Sequence, residues 1–183
     1  RLVGVAGYEA ALGQDLAPAA MSAVADHLAE ARSAVIRLAP LFETDSVVAT
    51  AGGSTYFDAV TEALTGWPDR MSVRTILRSG CYLTHDHGLY ARTSPLTRGG
   101  SPGLRPALQV RAQVVSRPES DLAILTMGRR DVAFDQGMPI PLELTDSEVT
   151  KLNDQHAFLR LGPRDRSTAP VGAWLRFGIS HPC

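Results

Sequence analysis

Apolar positions along the first 70 residues follow two periods in turn. "LVGVAGY" (2–8) is a short apolar run of strand length, and "LAPAAMSAVADHLAEARSAVIRL" carries Met21, Val24, Ala25, Leu28, Ala31, Val35 and Leu38 at helical spacing. Pro18 suits the first turn of that helix, where a missing N–H removes no bond. His27 falls on its polar side and is expected in solvent. "TDSVVAT" then predicts a β-branched strand, and "AGGSTYFDAVTEALTG" a helix with Thr55 as N-cap, Asp58 as the far side of a capping box and Gly66 as its stop. The βαβα order predicts parallel strands covered by helices.

After "GWPDR" the period shortens. "MSVRTIL", "CYLTHD", the alternating "LQVRAQVV" (108–115), "LAILTM", "HAFLRL" and "VGAWLRFGI" read as strands without long helices between them. "TSPLTRGGSPGLRP" and "GPRDRSTAP" read as Gly/Pro-rich loops, and "DSEVTKLND" as a polar, exposed stretch. A domain boundary is expected near residue 70, giving units 1–70 and 71–183. The predicted class is α/β followed by β.

Composition narrows the function. The chain has 183 residues, 44% hydrophobic and 20% charged, with a net charge of −1. That balance describes a soluble globular protein without a basic field for nucleic acid, and no apolar run reaches the ~18–20 residues of a membrane span. A small molecule or another chain is the expected partner. Two cysteines, Cys81 and Cys183, are too few for a disulfide framework. Starting on Arg1 and ending directly after a candidate ligand, the sequence reads as an internal fragment.

Three stretches carry candidate chemistry. "AGGST" (51–55) joins a strand, two glycines and a helix start, the layout that presents free N–H groups to an anion; a tight turn with an ordinary hydroxyl cap fits it as well. "SHPC" sets His181 and Cys183 around Pro182. The residue before proline is pushed toward extended backbone, and extended residues two apart face one side, so a thiolate and an imidazole would meet at one spot, a pair suited to zinc. Two ligands make half a site, and a buried cysteine beside an unrelated histidine stays open. "NDQHAFLRL" places Asp154 and His156 on one face if extended, although a histidine entering a strand is commonly structural. His85 and His87 in "THDHG" are expected at a polar strand end, His85 and His87 on one side and Asp86 on the other.

Together these stretches resemble the D-serine dehydratase and D-threonine aldolase family of pyridoxal-phosphate enzymes, and the resemblance covers nearly the whole chain. It lies in "GYEAALG" at Tyr8 and Glu9, "AGGST", "RSGCYLTHD", "DQHA" and "HPC", in the family's order. Ser79, Ala10 and Ala157 depart from its usual Pro, Gly and Gly. The resemblance implies the end of a β/α (TIM-like) barrel followed by a β-rich D-serine dehydratase-like domain. It implies pyridoxal 5'-phosphate held by Gly52, Gly53, Ser54, Thr55 and Tyr8, and zinc, with manganese second, on His181 and Cys183, where the metal assists catalysis; Asp154 and His156 would support the ligands. β-Elimination from a D-serine-like substrate, giving a 2-oxo acid and ammonia, is the implied reaction, in a cytoplasmic homodimer. Its alternatives are a metal-dependent D-threonine aldolase and a non-catalytic cofactor-binding protein with a structural metal. The family's cofactor aldehyde is held by a lysine near the N-terminus. Lys151, the chain's one lysine, stands in the wrong stretch, so the cofactor lysine is expected outside these residues and the fragment alone is expected to be inactive.

Overall fold

The structure, a computed structural model, describes residues 1–100 and 102–182. The chain divides into two compact units, Arg1–Tyr82 with Thr93–Gly103, and Leu83–Arg92 with Leu104–Cys183. In the first unit β1 (Gly4–Ala6), β2 (Val47–Ala51) and β3 (Val73–Leu77) form a parallel sheet in that order, with α1 (Pro18–Arg37) and α2 (Phe57–Ala63) as the crossovers. Pro18 opens α1, as its missing N–H allows. Val24 and Leu28 of α1 bury against Val60, Leu64 and Tyr56, while Val35 meets Val47 and Ala49 of β2. Truncating Leu28, which is fully buried, to Ala would cost about 2–5 kcal/mol.

Three expectations change in this unit. The strand Val73–Leu77 pairs in parallel with β2, so the unit runs past residue 70 to Tyr82. Helix α2 starts one residue later than the cap pattern suggests, at Phe57, with Tyr56 at the N-cap and no side-chain cap. Thr55 is buried with its hydroxyl 3.4 Å from that of Thr93, and Asp58 pairs with Arg98 at 3.1 Å. Partners about 40 residues away displaced the local cap. His27 is half-buried, its Nε2 enclosed and without a protein hydrogen bond among the described residues.

The second unit is a six-stranded antiparallel sheet in the order β6-β9-β4-β5-β8-β7. Its strands are β4 (Gln109–Glu119), β5 (Leu122–Leu125), β6 (Ile140–Pro141), β7 (Ser147–Leu152), β8 (Ala157–Leu161) and β9 (Trp174–Gly178). β6 returns against β7, so the sheet nearly closes on itself. Alternation works as expected in β4, where Ala112 and Val114 face the core and Val115 faces out. It holds in β9 from Leu175 through Phe177 to Ile179, whereas Val171 stands exposed in the preceding turn. β7, read as a polar stretch, is a strand with a register shift between Val149 and Lys151. The bulge brings Val149 and Leu152, three residues apart, to the same core and hides the period of two. Where "CYLTHD" was expected as a strand, Cys81–Leu83 forms a single 3-10 turn; α3 (Leu89–Thr93) follows it, and α4 (Pro95–Arg98) is a short helix inside the expected loop. Among the described residues no helix is long and apolar enough to cross a membrane.

Candidate functional site

In the first unit Tyr8, Gly52–Thr55 and Arg78–Cys81 follow β1, β2 and β3, at the ends of parallel strands where ligands of α/β folds bind. Gly52 has φ +111°, and a Cβ there would stand 3.1 Å from Leu77 Cδ2, so glycine is required. Its N–H donates to Glu9 Oε2 at 3.1 Å, and the N–H of Gly53 donates to Glu9 Oε1. Glu9 is fully buried. The two glycine amides expected to receive a phosphate thus already hold a carboxylate. Among the described residues the amides of Ser54 and Thr55 donate to no protein acceptor, and the Ser54 hydroxyl accepts the Cys81 N–H at 3.2 Å while keeping its own proton to give. A phosphate group fits this remaining set of two amides and a hydroxyl. Tyr8 is half-exposed, and a Cβ on Gly53 would lie 3.7 Å from its ring.

Arg78 went unnoticed in the sequence. Its guanidinium donates to the Gly7 carbonyl, setting a cation across the ends of β1 and β3. An arginine directly after a predicted strand was the signal available.

In the second unit β9 leads through Ile179 and the buried Ser180 to His181. The expected extended backbone is not found: His181 has φ +56°. Its N–H donates to Asp86 Oδ2 at 2.8 Å, and its Nδ1 lies 2.6 Å from Asp135 Oδ2. Asp86, 1% exposed, is the centre of the arrangement. Its Oδ1 accepts N–H groups from Gly88 (3.0 Å), Tyr90 (2.8 Å) and Ala91 (3.3 Å), which is why α3 starts where it does. Long-range bonding overrode the bias of the residue before Pro182. Tyr90 meets the His181 ring edge-on, centroids 6.1 Å apart. Cys183, the other half of the expected metal pair, lies outside the described residues.

His85 and His87 do not share the face of a strand. His85 is buried with φ +51°, and the His87 ring packs on Gly178, where a Cβ would come within 2.3 Å of it. Burial pushes the His87 pKa below its ordinary value, against the pull of Asp86, and its buried Nδ1 has no partner among the described residues. Asp154 and His156 sit in the turn between β7 and β8, both exposed, with the Asn153 N–H on the His156 carbonyl at 2.8 Å. With Arg129, Arg130, Asn153 and Gln155 they line a cavity of about 570 Å³. The polar partners of His181 are Asp86 and Asp135 instead. Among the described residues no three His, Cys, Asp or Glu side chains are grouped to hold a metal. His181 stands there as a single ligand-type side chain, its Nδ1 on a carboxylate, which does not by itself make a zinc site.

Residues 107–183 match the family described as "Putative serine dehydratase domain". Over 98% of its length the chain is similar in fold to the crystal structure of D-threonine aldolase from Filomicrobium marinum, with 22% identity and a TM-score of 0.69, covering 44% of that chain. Over 100% of its length it is similar to D-threo-3-hydroxyaspartate dehydratase from Delftia sp. HT23, with 20% identity and a TM-score of 0.63, covering 50% of that chain. The chain therefore spans about half the length of these solved structures. No curated protein sequence matches it.

Proposed function

With residues 107–183 belonging to the serine dehydratase domain family, we propose that the chain is part of a pyridoxal-phosphate-dependent lyase acting on D-hydroxy amino acids by β-elimination. The observation that carries the reading is this domain match on a chain whose fold, over its whole length, is similar to an aldolase and a dehydratase of D-amino acids. The first unit is then the last part of a β/α barrel. The β-rich unit follows it.

In this reading Ser54 and Thr55 hold the cofactor phosphate through their amides and the Ser54 hydroxyl. Gly52 and Gly53 shape the loop around Glu9, and Tyr8 flanks it. Bound there, the cofactor supplies the electron sink for charge developing at the substrate Cα. His181 and Cys183 would hold zinc, which would supply a Lewis acid for the departing β-hydroxyl. His181 is suited to this because two carboxylates fix its backbone and its ring. The lysine for the cofactor aldehyde comes from outside these residues. Lys151 lies exposed on β7 with its Nζ 5.2 Å from the Phe158 ring centroid, in a unit separate from the phosphate loop. A second copy of the complete protein is the proposed partner.

Aldol cleavage is the second reading, favoured by the likeness to the D-threonine aldolase. Cys183 speaks for elimination, since a thiolate favours zinc over harder metals. Incubating the complete protein with D-serine, D-threonine and D-threo-3-hydroxyaspartate separates the two. Ammonia with a 2-oxo acid supports elimination, glycine with an aldehyde shows aldol cleavage, and no turnover of any of the three overturns the lyase.

A further inference from the structure

We propose that the cleft between the 128–131 turn and the 153–156 turn of the β-rich unit binds a small oxyanion, a dicarboxylate or a phosphate, through the guanidinium groups of Arg129 and Arg130. The inference goes beyond the lyase reading and does not depend on it.

Hydrogen-bond donors dominate the lining. The cleft encloses about 570 Å³, within the size range of small-molecule sites, and is formed by Arg129, Arg130, Asn153, Asp154, Gln155 and His156. None of these is an apolar side chain, so a hydrocarbon ligand has little to bury against. Asp154 alone lacks a side-chain donor. Two arginines against one aspartate leave the cleft net positive on a chain whose net charge is −1.

Arg129 is held so that its outer edge is presented. Its Nε donates to the Leu152 carbonyl at 3.0 Å, and its guanidinium lies over the Phe134 ring, 5.4 Å from the centroid. Both contacts leave the two terminal nitrogens without a protein acceptor among the described residues. Those nitrogens form the fork that meets a carboxylate or phosphate with paired bonds. Arg130 Nη2 stands 3.9 Å from Asp154 Oδ2, beyond hydrogen-bond distance, with side chains 70% and 73% exposed. So loose a pair yields to a ligand that bonds directly.

The backbones of both arginines are fixed before any ligand arrives. The Arg129 and Arg130 N–H groups donate to the Asn153 and Asp154 carbonyls at 2.9 and 3.1 Å, and the Asn153 N–H donates to the His156 carbonyl at 2.8 Å. Gly128 is where the two turns touch: a Cβ there would stand 2.4 Å from the Asp154 carbonyl oxygen, so glycine is required. Asp131 closes its own turn on the Gly128 N–H at 2.8 Å. Such preorganisation lowers the ordering cost of binding.

Isothermal titration of the complete protein with malonate and with inorganic phosphate tests this. One saturable site is expected, weakening as sodium chloride is raised. Arg130→Ala and Arg129→Lys should each weaken it about five-fold, the lysine keeping the charge but losing the fork. Asp154→Asn should tighten it by about two- to five-fold, because the competing acid is gone. Unfolding midpoints should stay unchanged in Arg130→Ala and Asp154→Asn, since both side chains are exposed. The tighter of the two probes assigns the site to paired carboxylates or to a phosphate. Wild-type affinity in both arginine variants, or binding that never saturates, overturns the site. Malonate binding lost in Ser54→Ala but kept in the arginine variants places the anion in the loop of the first unit and overturns the cleft as well.

Discussion

Glu9 and Asp86 are both buried acids whose carboxylates collect backbone N–H groups, and they do opposite things. In the first unit Glu9 takes the amides of Gly52 and Gly53 and fills part of a cradle that would otherwise receive an anion. In the second, Asp86 takes the amides of Gly88, Tyr90, Ala91 and His181, starting a helix with one oxygen and pinning a candidate cation ligand with the other. The same chemistry subtracts donors from one site and assembles the other. What decides is which segment contributes the amides. Glu9 serves the loop that would bind the ligand, while Asp86 ties two scaffolding segments together.

The largest effect should come from Asp86→Ala. It strands four backbone donors, each worth about 1–3 kcal/mol when buried without a partner, so urea unfolding should show a loss of at least about 3 kcal/mol. A loss below about 1 kcal/mol would mean that water replaces the carboxylate and that Asp86 is no scaffold.

Glu9→Gln sharpens the contrast. Its amide can accept from one glycine N–H but turns an NH₂ toward the other, for an expected loss of about 1–2 kcal/mol. At the same time removal of the acid should tighten pyridoxal phosphate binding, followed by absorbance titration. Weaker binding would show that Glu9 orders the loop more than it opposes the anion. Ser54→Ala removes one hydroxyl donor and should weaken the same titration by about 1 kcal/mol, or roughly five-fold. Unchanged binding would place the phosphate elsewhere.

The smallest effect concerns a third acid. Hydrogen bonds from the Ser147 hydroxyl (2.7 Å) and the Asp146 N–H (2.8 Å) hold Asp165 below the ordinary aspartate pKa of 3.8. A depressed folded pKa stabilises above the unfolded value and is lost as pH falls through the folded one. Thermal midpoints should therefore drop on the acid side of about pH 4, and Asp165→Asn should make that slope shallower. An identical slope in the variant would assign the acid sensitivity to other carboxylates.

Local patterns made much of the fold legible. The helical spacing from Met21 to Leu38, Pro18 at its start, the β-branched run at 47–50 and the alternation in β4 and β9 each depend on neighbours within a turn or a strand. They carried the α/β-then-β order, the glycine at 52 and the choice of His181 as a residue to watch. The composition likewise made Lys151 stand out as the single lysine. Other features answer to partners far along the chain: 43 residues separate Glu9 from Gly52, and 95 separate Asp86 from His181. Local rules favoured extended backbone at His181, free amides at Gly52 and Gly53, a cap at Thr55 and a polar surface stretch at 147–152. Tertiary structure decided otherwise in each, because a buried donor must find an acceptor and a bulged strand can still fill a core. Those demands are met across the fold and outweigh the weak preferences that a short window of sequence expresses.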